Sequence, residues 1–204
     1  MAFRDFSFPE VQVTLGLTLR EAALFAGVPP LDLSESFRER MEGDVPLALA
    51  INTEKARSEF IIAPVLSELR RHLRGRFALF SGVEFNVDPG RGLNGFCDFL
   101  FTRSPLQPVV TAPVIAVAEA KNDNLRSGLG QCIAATVAAR EFNANAHTDM
   151  PTVYGVVTTG GAWKFLRLDG TVLTLDVREY FVAELPAIMG ILAHILEGQT
   201  PPGG

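Results

Sequence analysis

Val114-Ile115-Ala116-Val117-Ala118-Glu119-Ala120-Lys121 is the stretch on which the reading of this chain turns. Five apolar residues run without interruption behind a Pro-containing loop at 104–113, which predicts a strand in the interior of a sheet. Period-two alternation places Ile115, Val117, Glu119 and Lys121 on one face and Val114, Ala116, Ala118 and Ala120 on the other. A carboxylate and an ammonium thus point the same way from the end of an apolar strand. Burying such charges is costly unless they are paired or hold something.

Working outward, Gly95–Phe101 predicts a second strand, on which Phe96, Asp98 and Leu100 share a face. Asp98 is therefore another carboxylate on a strongly apolar strand. Upstream of the turn Asp88-Pro89-Gly90-Arg91-Gly92, the residues Phe77, Leu79, Ser81, Val83, Phe85 and Val87 alternate as a half-buried strand does. Before that, Ile62, Val65, Leu66, Leu69 and Leu73 recur at helical spacing, with Asn52 or Thr53 as cap and Gly75 as stop. Pro64 marks a bend or an early break in this helix. Glu59 precedes Ile62 by three positions and Leu66 by seven, which predicts a place on or beside the buried stripe.

Downstream, a helix is expected over Leu125–Phe142, then strands over Thr152–Thr159 and Ala162–Leu168 joined by the hairpin signal Gly160-Gly161. A strand over Thr171–Val177 and an apolar helix over Tyr180–Leu196 follow. This order predicts an α/β fold with a mixed sheet. The main domain is expected at 52–197, with 198–204 a flexible tail. Residues 1–51 read as an N-terminal extension packed on the core, with a short alternating, strand-like piece at Val11–Leu15 and helices at Leu19–Phe25 and Leu33–Met41.

The whole chain has 204 residues, 48% of them hydrophobic and 20% charged, with 18 Lys and Arg against 23 Asp and Glu for a net charge of −5. That composition describes a globular domain and excludes wholesale disorder. An isoelectric point near 5.2 argues against a protein that coats nucleic acid or an anionic membrane through bulk charge. It is compatible with an enzyme that gathers carboxylates around a divalent cation. No apolar run approaches the roughly 18 residues that span a bilayer, and the first residues lack the apolar core of a secretory signal. The expected location is the cytoplasm. Cys97 and Cys132 form no CxxC pair and are expected to be buried small hydrophobes rather than zinc ligands.

Three carboxylates and one lysine fit a single chemistry. Mg²⁺ takes oxygen ligands from one or two carboxylates together with water and substrate phosphate, and it lowers the pKa of a bound water. A neighbouring lysine can position that water or stabilise charge on the transition state. A helical Glu59, strand-borne Asp98, the strand Glu119-Ala120-Lys121 and a following helix that carries Gln131 together resemble the PD-(D/E)XK nuclease superfamily. The likeness covers residues 52–168, whose order of elements is similar to that family's α-β-β-β-α-β core.

The resemblance implies a restriction-endonuclease-like three-layer core, with a central mixed sheet flanked by helices, and metal-dependent hydrolysis of phosphodiester bonds in nucleic acid; the sequence does not separate DNA from RNA, and DNA is the partner expected ahead of RNA. Carried over residue by residue, Asp98, Glu119 and the Ala120 carbonyl would ligate Mg²⁺, with Mn²⁺ as its substitute. Lys121 would orient the attacking water, Glu59 would act through the metal's water shell, and Gln131 would stand beside the active site. Cys97 occupies the place where the nominal pattern has proline, and the tyrosine that can follow the helical glutamine is absent. A homodimer would let two such sites cut both strands. The competing class is a catalytically inactive protein that keeps the fold as a binding or assembly module.

Other signals are read as background. Gly90-Arg91-Gly92-Leu93-Asn94-Gly95 matches G-x-G-x-x-G, but a dinucleotide site needs a helix directly after it and a strand is predicted there. His72, His147 and His194 are scattered and form no metal pattern. Arg70, Arg71, Arg74 and Arg76 sit at a helix end, where cations complement the dipole. Asn124 and Arg126, between Lys121 and the next helix, are candidate phosphate contacts, and Trp163 is a candidate substrate contact.

Overall fold

A computed structural model describes residues 1–104, 106–122, 124–148 and 150–198. Apart from Gly198, the tail expected at 198–204 lies outside them.

The first elements exchange the types expected of them. Glu10–Thr14 is a short helix, α1, and Thr18–Ala22 is a strand, β1. Val11 alone turns inward, at 1% exposure, while Val13 is 83% exposed, so the alternation that suggested a strand buries only one side chain. Thr18–Ala22 instead gains a strand partner, pairing in parallel from Thr18 opposite Val172 to Ala22 opposite Asp176. Pairing overrides local propensity at such short segments. Helix α2 spans Glu35–Ile51, longer than expected, and passes through Pro46. Ser34 Oγ caps it by accepting the Phe37 N–H at 3.4 Å.

The predicted helix after Thr53 is three pieces. Helix α3 covers Glu54–Arg57 with Thr53 as its cap, a π-helical turn covers Ser58–Ile62, and α4 covers Ala63–His72. The π turn closes with the Ala63 N–H on the Ser58 carbonyl, and Pro64, which has no N–H to donate, stands in the first turn of α4. The expected stripe Ile62, Val65, Leu66, Leu69 and Leu73 is buried.

Strands β2 (Ala78–Glu84), β3 (Phe96–Thr102), β4 (Val114–Ala120), β5 (Thr152–Thr158), β6 (Ala162–Asp169), β7 (Val172–Asp176) and β8 (Tyr180–Phe181) complete the strand set, with α5 at Leu125–Asn145 and α6 at Leu185–Glu197. Among the described residues one sheet of 8 strands runs β1-β7-β6-β5-β4-β3-β2, with β8 on β6. Its β4–β5 and β1–β7 pairs are parallel, and its remaining pairs are antiparallel. Tyr180 and Phe181, expected to open the last helix, pair with Trp163 and Ala162 instead.

Helices pack on both faces of the mixed sheet, giving the expected α/β three-layer arrangement. One layer, with α2, α4 and α6, covers Phe99, Phe101, Ala116, Ala118 and Ala120. The other, with residues 3–11 and α5, covers Cys97, Leu100 and Val117. The face assignment expected for β4 fails at its start. Phe101 pairs with Ala116 but Thr102 with Val114, so Ile115 is an extra residue that bulges the strand. Ile115 therefore joins the face of Ala116, while Val114 joins that of Val117.

Helix α5 is tied to the start of β4 by a buried amide. Asn143 Oδ1 accepts the Val114 N–H at 2.6 Å, and its Nδ2 donates to the Val114 carbonyl at 2.8 Å. This clamp fixes the helix that carries Gln131 over the strand that carries Glu119.

Candidate active site

Asp98, Glu119, Lys121 and Gln131 converge between β3, the end of β4 and the first turns of α5. Beyond the Phe99–Ala118 pair the β3–β4 ladder stops, and Asp98 Oδ2 accepts the Ala120 N–H at 2.8 Å in its place. On the other side of β4, pairing with β5 continues, Ala120 opposite Thr158, and the Lys121 N–H reaches the Thr158 carbonyl at 2.8 Å. The backbone at Glu119-Ala120-Lys121 is thus held from both flanks.

Glu119 is fully buried, and among the described residues neither of its carboxylate oxygens has a hydrogen-bond partner. Lys121 Nζ lies 3.8 Å from Glu119 Oε2 and donates to Gln131 Oε1 at 3.2 Å. Burial, first, and then the negative charge of Asp98 push the Glu119 carboxyl well above the usual carboxylate range, against the opposing pull of Lys121. The side chains of Asp98 and Gln131 are near enough to bear on its ionisation, although neither completes hydrogen-bond geometry with it. Burial, followed by the charge of Glu119, also raises the thiols of Cys97 and Cys132, which are buried as expected.

Burial without a hydrogen bond, beside a second carboxylate, leaves Glu119 either protonated or in need of a compensating cation. The donor set is two carboxylates and the nearby Ala120 carbonyl. Among the described residues no group of three or more His, Cys, Asp or Glu could hold a metal ion.

Glu59 does not join this group. It lies in the π turn, its side chain is 57% exposed, and it pairs with Lys55 at 3.7 Å. The wider turn breaks the 3.6-residue phase on which its predicted place beside the stripe depended. Trp163 is also withdrawn, being fully buried with its Nε1 donating to the Gly160 carbonyl at 3.1 Å. Asn124 caps α5, its Oδ1 accepting the Ser127 N–H at 2.9 Å. The Arg126 guanidinium lies 5.8 Å from the Phe8 ring centre. Arg71 and Arg76 pair with Glu68 and Glu197 at the end of α4 and beyond.

Sequence reasoning packs residues 1–51 on the core but does not give the course of their first residues over α5. Phe3 is buried at 1% exposure, its N–H reaches the Asn94 carbonyl at 2.9 Å, and the chain continues over α5 beside Gly130. The glycine at 130 was the available signal. A Cβ there would lie 2.2 Å from the Phe6 carbonyl oxygen.

Compared with solved structures, the chain is similar to a cryo-EM structure of the DrdV–DNA complex, with a TM-score of 0.48 and 13% identity over 83% of this chain. It spans 14% of the length of that protein. No family model matches the chain, and no curated protein does. No helix among the described residues is long and apolar enough to cross a membrane.

Proposed function

We propose that the chain is a metal-dependent nuclease of the PD-(D/E)XK type that hydrolyses phosphodiester bonds, in DNA in preference to RNA. The observation that carries this reading is the fully buried Glu119, neither oxygen hydrogen-bonded among the described residues, with its Oε2 3.8 Å from Lys121 Nζ. A carboxylate in that position costs stability unless it has a use.

Asp98, Glu119 and the Ala120 carbonyl would hold the cation. A bound Mg²⁺, or Mn²⁺ in its place, supplies charge neutralisation at the phosphate and a water of lowered pKa. Lys121 Nζ donates a hydrogen bond that aligns the attacking water with the phosphorus, and Gln131 Oε1 keeps that ammonium in place. Hydrolysis forms one P–O bond to water and breaks one ester P–O bond, the leaving oxygen taking up a proton. Asp98 keeps the Ala120 peptide oriented through the reaction.

The test is digestion of supercoiled plasmid, single-stranded DNA and RNA with Mg²⁺, Mn²⁺ or EDTA, with Lys121→Ala purified identically. Cleavage that requires metal and disappears in the variant supports the reading and identifies the substrate. Absence of cleavage together with absence of Mn²⁺ binding by calorimetry replaces it with the binding-module reading.

A further inference from the structure

Two residues before Asp98, at the first position of β3, Phe96 is 63% exposed, the most exposed aromatic ring among the described residues. It is held by antiparallel pairing with Glu84, about 7 Å along the strand from Asp98. An exposed ring there contributes little to the core.

Phe96 lines a cavity of about 460 Å³ together with Arg4, Asn86, Asn94 and Gln131. That volume is in the range of sites for small organic ligands. Gln131 is the residue that receives Lys121 Nζ, so the cavity and the candidate active site share a wall. Asn86 is fixed, its Oδ1 accepting the Gly95 N–H at 3.1 Å and its Nδ2 donating to Glu84 at 2.9 Å. The Asn94 side-chain oxygen is buried with no partner among the described residues. Arg4 is presented from the anchored strap with 85% of its side chain exposed and an ion pair to Asp5 at 3.9 Å.

An aromatic face, side-chain amides and one exposed guanidinium beside a phosphodiester site match the chemistry of a nucleotide. We propose that this cavity is a subsite for an unpaired nucleobase next to the phosphate being cut. The base stacks on Phe96 and meets the amide wall, and Arg4 faces the adjoining backbone phosphate. A base inside a duplex cannot offer its face to a side chain without leaving the stack, so the subsite selects single-stranded or unpaired nucleic acid. The inference rests on the nuclease reading of Asp98, Glu119 and Lys121 for its orientation.

The test is fluorescence anisotropy of a labelled oligothymidylate in EDTA, where nothing is cut, with a blunt duplex as the second probe. Phe96 is exposed, so its substitution leaves the core intact, and Phe181→Ala removes a second exposed ring, 54% exposed, as a control. Phe96→Ala should weaken single-strand binding roughly 5- to 150-fold, as expected for the loss of one stacked base. Phe96→Tyr should restore it, and Phe181→Ala and the duplex should show no such loss. Equal binding by Phe96→Ala, an equal loss in Phe181→Ala, or an equal loss on duplex overturns the subsite. Phe96-dependent binding without metal-dependent cleavage upholds the subsite and removes the nuclease reading, whereas cleavage with Phe96-independent binding does the reverse.

Discussion

Asp98 reaches across from β3 to accept the Ala120 N–H with its Oδ2 at 2.8 Å, where the strands themselves no longer pair. On the proposed function the carboxylate has two separable duties, an acceptor for a buried N–H and a charge for a cation. Asp98→Asn keeps an oxygen for Ala120 and should leave urea stability within about 0.5 kcal/mol of the parent. It should abolish Mn²⁺ binding in calorimetry and metal-dependent cleavage. Asp98→Ala loses both duties and should cost a further ~1–3 kcal/mol for the unpaired N–H. Full cleavage by Asp98→Asn would reduce Asp98 to a structural role.

Glu119 makes the metal-free protein sensitive to pH. Its folded pKa is raised by burial and by Asp98, so the folded state favours the protonated carboxyl. The stability this contributes is complete below the unfolded value of about 4.3 and is lost as pH rises through the folded pKa. Glu119→Gln keeps the shape and has no charge to lose. In EDTA, thermal melts of the wild type should fall progressively below those of Glu119→Gln as the pH is raised. Mn²⁺ should close the gap for the wild type alone, because it binds only the intact site. Parallel melting curves for the two proteins at every pH would contradict the assignment.

Lys121 and Gln131 should separate by size of effect. Lys121→Ala removes the group that aligns the water and should lower the cleavage rate by about 10²–10⁴ while Mn²⁺ binding persists. Gln131→Ala leaves the ammonium its contact with Glu119 and removes the one that steadies it, and should cost roughly 10-fold to 100-fold. Glu59→Gln, at an exposed position paired only with Lys55 among the described contacts, should change the rate less than Gln131→Ala. A larger loss at Glu59 than at Gln131 would reassign the roles.

The parts of this site that sequence made legible are those governed by local periodicity. Alternation aligned Glu119 with Lys121 and helical spacing carried Gln131 onto α5, because a strand's faces and a helix's stripe are set by neighbouring residues. The bulge at Ile115 and the π turn at Ser58–Ile62 each change a phase by one residue; the bulge has no composition signal, and Pro64 marks a break beside the π turn without revealing the phase change. Hence Glu59 was expected at a buried stripe and stands in solvent. The exchange of helix and strand at α1 and β1 has another cause. Each holds five residues, too few for period to decide, and the vacant edge beside β7 settles the matter. The Asn143 clamp on Val114 joins residues 29 positions apart, and its two hydrogen bonds have no local signature.

Gly130 offers the sharpest test of how the N-terminal strap supports the site. Its missing side chain lets the strap cross α5, since a Cβ would come within 2.2 Å of the Phe6 carbonyl oxygen, a backbone atom that no rotamer change can move. Gly130→Ala should therefore destabilise the protein by ~1–3 kcal/mol or detach residues 1–8, with faster proteolysis before Pro9. Gly43, in the interior of α2 with nothing within 4 Å of its would-be Cβ, supplies the opposite expectation. Gly43→Ala should stabilise by roughly 0.4–1 kcal/mol, since there the only effects are gained helix propensity and reduced unfolded-state freedom. Because Gln131 follows Gly130 directly and Arg4 sits on the strap, the Gly130 variant should also lose oligonucleotide binding, while Gly43→Ala keeps it. Equal stability of the two variants would mean that the strap is not seated on α5 in solution.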